Sequence, residues 1–488
     1  MSLHNSKMKS EYWSYIWLVI GFIFLIFSNG FWNIIPIAAW LAPIFLLRFL
    51  RTQNKTKGLV IFAPVYVIAW IIMLYGMFLG IIGYIFAVTY GIIFFIPFLA
   101  DRFITPKIEG YLSTLVFPSA WVTMELIASF TLFGSLFSLA YTQFGNLPLM
   151  QLVSITGIWG ISFLIIWFAS VVNWAWEQEF SLPKIYKGAS LYLGILIFIL
   201  LFGGAYLTFL PVDSDTVRVA SVTRSFDIFP LAKECNKNIS CIQGVLNQSL
   251  DDFLEHSKQA ADAGAKIIVW QEAGIFVFND DEAGYIRQAR EFAMREKVYL
   301  VMGIMAISED ESINENKVVL IDPSGHTSEY LKTHLVPGDN HILGDGKVLI
   351  QDSPYGKLAS VICYDADFPN YVRQAGKANA DLMLIPSDDW EAITPLHARM
   401  ASFRSIENGF SMIRPTFEGL SIAVDYHGNI LSQMNDFTTE DVVMIADVPK
   451  QGIKTIYSQI GDLFAWLCVL GFLIMVGLSL TRSKGEKI

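Results

Sequence analysis

The hydrophobic positions along this chain change their pattern twice. Up to about Leu210 they form long, almost uncharged runs separated by short polar loops. From Val217 to about Pro449 they alternate with polar positions as in a domain that folds in water. One more apolar run, about 461–480, follows. Eight runs, at about 12–28, 31–48, 59–79, 81–100, 110–130, 150–172, 189–210 and 461–480, each approach the ~20 residues a helix needs to cross a hydrocarbon core. The pattern predicts a polytopic membrane bundle of about eight spans. About seven of them fall in residues 1–211, and a last one lies within 459–481, after a globular domain over 217–449. The first run reads as a retained span, because no small-residue cleavage site follows it before the next run. Glu125, inside the run 110–130 with Pro118, is costly in lipid and is expected to face the bundle or the interface near a site.

Within 217–449 the period switches between that of strands and that of helices. TVRVASVT, AKIIVWQE and VYLVMGIMAI read as strands; QSLDDFLEHSKQAADAG, ending on Gly264, and EAGYIRQAREFAMREK read as amphipathic helices between them. NKVVLIDPSGHTSEYLKTHLVP reads as a hairpin turning at Pro323 to Gly325. KLASVICY, DLMLIPS, GFSMIRPT and LSIAVDYHGNIL supply further strands, with the helix TPLHARMASFRSIENG before GFSMIRPT. Apolar strands alternating with helices predict an α/β domain, and the later hairpins make its sheet mixed.

Basic residues in the short loops set the orientation. Lys7 and Lys9, then Arg48, Arg51, Lys55 and Lys57, then Arg102 and Lys107, then Lys184 and Lys187, and finally Arg482, Lys484 and Lys487 all fall on one side of the predicted bilayer. The alternate loops around Asn29, Gly80 and Thr131 to Pro148 hold no Lys or Arg. Both termini are therefore expected in the cytoplasm and the globular domain outside.

Composition adds limits. The chain is 54% hydrophobic and 16% charged, against roughly 25% charged in an average soluble domain. Its net charge of −10 says little, since the acidic excess lies mainly in the globular part, and no basic patch or run suggests nucleic acid. Of four cysteines, Cys468 lies in the last span and reads as packing. Cys235 and Cys241, six apart in the outer domain, form either a disulfide or two free thiols, and Cys363 is left over.

Cys363 ends an apolar run just before the turn-forming Asp365, Asp367 and Pro369. A small buried hydrophobe is the plain reading of such a cysteine. Glu272 and Lys332 stand at two other strand ends, where a solvated side chain is the plain reading. Together the three make a chemical set. A thiol needs a base to become a nucleophile, a partly desolvated carboxylate can take and return a proton, and a fixed ammonium can stabilise an oxyanion. His334 and His397 are the competing candidates for the base. Trp390 reads equally as a packing aromatic or as a wall for an acyl chain, and Arg404 and Glu407 as an i,i+3 ion pair.

The order Glu, Lys, Cys on these strand ends resembles the carbon–nitrogen hydrolase (nitrilase) superfamily, and within it the apolipoprotein N-acyltransferase family. FPSAWVTMELIASF and QFGNLPLMQLVSITGIWGISFLI resemble that family's middle spans. YLKTHLVP, ICYDADFPNYVRQ and HARMASFRSIENGFSMIRPTFEGLSIAVDYHGNI follow its order in the outer domain. The resemblance implies a nitrilase-like αββα sandwich with Glu272 as general base and acid, Lys332 as oxyanion partner and Cys363 as nucleophile. It also implies the Tyr364 backbone N–H as a second oxyanion donor, and no metal or organic cofactor.

The implied reaction moves an acyl chain from a membrane phospholipid, through a Cys thioester, to the N-terminal amine of a diacylated lipoprotein at the bacterial cytoplasmic membrane. A membrane-tethered amidase and an idle lipid-binding domain are the alternatives, and nothing demands an oligomer. The chain departs from the family at four places. Gln271 stands where Pro usually precedes the Glu. Gly338, Asp339 and Asn340 replace Phe–Gly–Glu, so Asp339 is the candidate for the missing carboxylate. Asp365 replaces a Glu, and Asp388, Asp389 and Trp390 stand for Asn–Asp–x–Trp.

Overall fold

The structure is a computed structural model that describes residues 2–29, 34–77, 81–212, 215–308 and 314–485. Gly80 and Lys487, used above to orient the chain, lie outside the described residues. The chain divides into two units, one of Met1–Thr131, Ser135–Phe209 and Gly461–Ile488, the other of Leu132–Gly134 and Leu210–Ile460.

The first unit is helical. Among the described residues six helices are long and apolar enough to cross a membrane: Lys55–Met73, Ile81–Lys107, Gly110–Ser129, Trp159–Glu177, Leu182–Phe209 and Leu463–Arg482. The pattern predicts eight, and the first two candidates fall short in length. The apolar part of the opening helix is Trp13–Ile26, and Pro36–Thr52 has 17 residues. The sixth candidate starts later than expected. Gly157, at φ 64°, stops the short helix Val153–Thr156, and the long helix begins only at Trp159.

Arg51 Nε donates to Asp101 at 3.0 Å and Nη1 to Glu177 at 3.1 Å, while Arg482 Nη1 donates to the Lys107 carbonyl at 2.9 Å. Arg48 lies 4.7 Å from the Trp176 ring centre. These basic residues, assigned to one side by the sequence, thus gather at one end of the helical unit.

Glu125 is turned inward and 3% exposed. It accepts from the Trp121 indole at 3.0 Å, the Leu139 backbone N–H at 3.0 Å and the Ser138 hydroxyl at 3.2 Å. Three donors satisfy this carboxylate, so its place is explained by fixing the turn Leu139–Gln143 to the helix Val116–Ser129. Pro118 is tolerated because it sits in that helix's first turn, where its missing N–H has no partner to lose.

The second unit is a layered α/β sandwich. In one sheet Val443–Pro449, Thr216–Val222, Ile267–Trp270, Tyr299–Ile307, Glu315–Ile321 and Thr327–Leu331 lie side by side, with Ile275–Phe278 paired to Tyr299–Ile307. In the other the order is Ile430–Asn435, Leu420–Val424, Ser411–Arg414, Leu382–Leu384, Leu358–Ser360 and Leu349–Gln351. Each sheet has parallel neighbours at its centre and antiparallel ones at its edges.

Val219, Ile267, Val269 and Val301 meet Leu358, Val361, Leu382 and Ile413 between the sheets. The helices Ile239–Asp262 and Glu282–Glu296 cover the outer face of the first sheet, where Phe253, Ala289 and Phe292 pack on Ile268 and Leu300. The helices Pro369–Lys377 and Leu396–Asn408 follow the second sheet's strands. Strands buried on both faces must be apolar throughout, as IIVW and LML are. Cys235 and Cys241 form a disulfide across the junction of the helices Ile228–Glu234 and Ile239–Asp262.

Candidate active site

Polar residues collect where strands leave the sandwich. Glu272 follows Ile267–Trp270, Cys363 follows Leu358–Ser360, and Lys332 follows Thr327–Leu331. Strand carboxyl ends are the usual place for a site in such sheets, because side chains there leave the packed interior without losing its support. Local backbone aims two of them. Cys363 sits at φ 41°, in the left-handed region, as the chain turns from strand into the short helical segment Cys363–Asp367. Ala273, just after Glu272, is at φ 46°. Gly303 makes room below, since a Cβ there would stand 1.9 Å from the Gln271 carbonyl oxygen.

The structure brings the three candidates together. Lys332 Nζ donates to Glu272 Oε1 at 2.6 Å, and both side chains are buried. Asn316 Nδ2 donates to the same oxygen at 2.7 Å. Glu272 Oε2 accepts from the Asp388 backbone N–H at 3.2 Å, while the Asp388 carbonyl accepts from Cys363 Sγ at 3.6 Å. The backbone of one residue, through its two flanking peptides, therefore touches both the carboxylate and the thiol. Burial works against the charge on Lys332, but Glu272 and then Cys363 hold its pKa above the ordinary lysine value. Burial, followed by the charge of Glu272, pushes the Cys363 thiol above its usual range. At rest the group is a thiol, and it needs a base to react.

Asp339 Oδ2 lies 4.0 Å from Lys332 Nζ, so this carboxylate does reach the site. Asp365 is fully buried and binds both sides of it: it accepts from the Tyr330 hydroxyl at 2.6 Å, the His334 backbone N–H at 2.7 Å, His334 Nδ1 at 2.9 Å and the Ile362 N–H at 3.1 Å. Its partners flank Lys332 and Cys363, so it fixes one against the other. Asp365→Asn removes the charge and part of this acceptor capacity. It is expected to slow acylation of Cys363 about 100-fold, because misplacing reacting groups by an ångström costs that much. Timed labelling with an acyl donor checks this, and an unchanged rate would contradict it.

Tyr364 is buried, and its hydroxyl donates to the Leu132 carbonyl at 2.7 Å. Trp390 is partly buried at the start of the turn Glu391–Ile393. Arg404 and Glu407 pair at 3.0 Å, both fully buried.

A second cluster lies behind Cys363. His397 Nδ1 is 2.7 Å from Asp389 Oδ1 and its Nε2 is 2.9 Å from Asp367 Oδ1. Arg414 holds Asp389 with two hydrogen bonds of 3.0 and 2.8 Å, and its Nη2 is 4.0 Å from Cys363 Sγ. Burial opposes a charged His397, but Asp367 and Asp389 on its two sides raise its pKa well above the ordinary histidine value. Asp389 is depressed despite burial, by Arg414 and then His397. Cys363, Asp389 and His397 bring metal-ligand atoms within 4.8 Å of one another. Both imidazole nitrogens and both Asp389 oxygens take part in hydrogen bonds within this cluster.

Arg414 and Asn316 are absent from the candidates that the sequence yields. Arg414 ends the strand Ser411–Arg414 and obeys the same strand-end rule that singles out Glu272, so that signal was present. Asn316 is an interior strand residue and carries no comparable mark.

The family model described as carbon-nitrogen hydrolase matches residues 242–457, and that described as apolipoprotein N-acyltransferase N-terminal domain matches 21–171. The apolipoprotein N-acyltransferase of Geobacter metallireducens is 27% identical over 409 residues, covering 77% of this chain and 76% of its own length. Apolipoprotein N-acyltransferase 1 of Treponema denticola is 25% identical over 502 residues, covering 91% of this chain and 90% of its own. Among solved structures, a variant of the Nesterenkonia AN1 amidase from the nitrilase superfamily is 20% identical at a TM-score of 0.42, covering 53% of this chain and 98% of its own. With one model matched in each part of the sequence and curated relatives aligned along most of it, the chain is similar to apolipoprotein N-acyltransferases over most of its length, and residues 242–457 match the carbon-nitrogen hydrolase model.

Proposed function

We propose that this protein is a membrane-anchored N-acyltransferase of lipoprotein maturation. It takes an acyl chain from a glycerophospholipid onto Cys363 and passes it to the α-amine of an S-diacylglyceryl-cysteine. The observation that carries this reading is the buried Lys332–Glu272 pair, linked to the Cys363 thiol through the Asp388 backbone N–H and carbonyl. Similarity to apolipoprotein N-acyltransferases suggests the class of substrates. The domain 217–449 works outside a bacterial cytoplasmic membrane, with both chain termini in the cytoplasm. That side is where both lipid substrates present their reacting ends.

The steps follow from the groups present. Glu272 takes the thiol proton as Sγ attacks the donor's ester carbonyl. Lys332 keeps one hydrogen on Glu272 and turns the others to the oxyanion, joined by the Tyr364 backbone N–H. Collapse breaks the ester C–O bond, and Glu272 returns the proton to the departing lysophospholipid. The acceptor amine then attacks the thioester, Glu272 takes its proton, and the thiol is regenerated as the amide forms. His397 is held between Asp367 and Asp389, with Arg414 Nη2 2.9 Å from its Nδ1, and His334 is bound to Asp365 through Nδ1 and stacked on Phe368 with 3.8 Å between ring centres. That commitment supports Glu272 as the base.

Incubation with a phospholipid and a diacylated lipopeptide tests the whole reaction. The expected products are a triacylated peptide, resistant to hydroxylamine at its new amide, and a lysophospholipid in equal amount. Release of free fatty acid with no peptide product would instead make the protein a hydrolase.

A further inference from the structure

Three neighbouring parallel strands of the second sheet, Leu358–Ser360, Leu382–Leu384 and Ser411–Arg414, direct their carboxyl ends to one place. Cys363 and Asp389 follow the first two, and Arg414 closes the third. Hydrogen bonds beyond the strands keep the segments in step. The Cys363 N–H donates to the Pro386 carbonyl at 2.9 Å, and the Ser387 N–H to the Pro415 carbonyl at 3.0 Å. A buried arginine is thereby fixed beside the nucleophile.

Arg414 is fully buried. Its Nη1 donates to Asp389 Oδ2 at 3.0 Å and to the Thr416 hydroxyl at 2.8 Å, and its Nη2 to Asp389 Oδ1 at 2.8 Å. Nη2 also lies 2.9 Å from His397 Nδ1. From Cys363 Sγ the distances are 4.0 Å to Arg414 Nη2 and 3.9 Å to Asp389 Oδ1, so the sulfur faces both members of a buried ion pair. The other charged groups facing it are Glu272, Lys332 and His397, the last also hydrogen-bonded to the sulfur. Asp365 and Asp367 stand on its own turn.

The roles of these neighbours change when the proton moves. As a thiol, Cys363 has the Asp388 carbonyl and Asp389 as acceptors. Burial and then the Glu272 charge keep it in that form. When the S–H bond breaks towards Glu272, the electron pair stays on sulfur and the Glu272 charge disappears with the arriving proton. Asp389 then opposes the new anion, and Arg414 can donate a hydrogen bond to it. Opposite charges within about 4–6 Å favour the ionised form of a group, and like charges disfavour it. A guanidinium keeps its charge at every working pH, so this cation is present throughout the cycle. The same anion returns in the second step, when the C–S bond of the thioester breaks with its electron pair on sulfur.

We propose that Arg414 stabilises the Cys363 thiolate, donating to Sγ as it forms in acylation and as it leaves in transfer to the acceptor amine. The inference rests on the reading of Cys363 as the nucleophile.

The test uses the full-length protein in detergent and the variants Arg414→Lys, Arg414→Met and Arg414→Met/Asp389→Asn. Alkylation by iodoacetamide across pH, followed on the peptide that contains Cys363, reports the thiolate without any acyl donor. Single-turnover acylation by a fluorescent phospholipid, then transfer to a diacylated lipopeptide, reports the two steps. Arg414→Met is expected to slow both steps about 100-fold, the usual loss for one donor to a developing anion. It should also raise the pH of half-maximal alkylation by about one unit, a tenfold loss of thiolate. Arg414→Lys keeps a cation and should stay within about tenfold of wild type in both steps. The double variant strands neither charge, so it should melt near the wild-type temperature yet remain about tenfold slower in each step.

An unshifted alkylation profile in Arg414→Met overturns the proposal. So does a double variant with wild-type rates, because Arg414 would then serve only to balance Asp389. If Arg414→Met does not fold, the double variant decides by its rates. Wild-type protein whose Cys363 is alkylated but never acylated overturns the proposed function. Acylated wild type with wild-type rates in Arg414→Met overturns only this inference.

Discussion

Cys363→Ala is expected to abolish acyl transfer, by roughly 10⁴-fold or more, while leaving the fold in place. The rate loss is large because no second nucleophile is in reach: among the described residues the other free cysteine, Cys468, lies in the helix Leu463–Gly485 of the helical unit. The fold should survive because the thiol adds little to packing. Its hydrogen-bond contacts include long ones, at 3.6–4.0 Å, to the Asp388 carbonyl, Asp389 and Arg414, and one to the His397 side chain. Acyl transfer to a lipopeptide, measured beside thermal unfolding, separates the two effects. Substantial activity in the variant would move the nucleophile elsewhere.

Glu272→Gln is expected to slow acylation about 10³-fold, the usual loss for a positioned base. It should also destabilise the protein, which the cysteine change should not. Lys332 is 2% exposed, and glutamine leaves its ammonium with only Asp339, 4.0 Å away, as a charged partner. Breaking a buried pair from one side costs about 3–5 kcal/mol. A lowered melting temperature together with lost acylation is the expected result. Wild-type acylation in Glu272→Gln would remove the carboxylate from the proton-transfer role and reopen the case for a histidine. A Glu272→Gln/Lys332→Met double variant should regain stability but not activity, because stability depends on the pair while chemistry depends on each member.

Much of the globular unit was legible because its signals are local. Strands buried on both faces must be apolar over their whole length, so a charged residue that ends such a run stands out. Glu272 is marked in this way and the Cys363 thiol ends a similar run, whereas Lys332 ends the partly polar edge strand Thr327–Leu331. Partners on another element carry no such mark. Asn316 lies inside a strand, and only the fold brings it to Glu272. Short strands such as Ile275–Phe278 and Leu349–Gln351 also escaped, since three or four residues are too few to show a period.

In the helical unit, hydropathy locates apolar runs but not their breaks. It missed the stop at Gly157, a backbone feature that mean hydropathy averages away. Glu125 shows the same limit from the other side. The sequence marks it as unusual, but only the Trp121, Ser138 and Leu139 donors explain why it is tolerated.

The most direct measurement is the intact mass of the protein after incubation with a phospholipid of single acyl composition and no acceptor. The account predicts a gain of one acyl chain per molecule, located on the peptide that contains Cys363 and removed by neutral hydroxylamine. Lipopeptide acylation that proceeds with no such adduct forming on Cys363, even transiently, would contradict it.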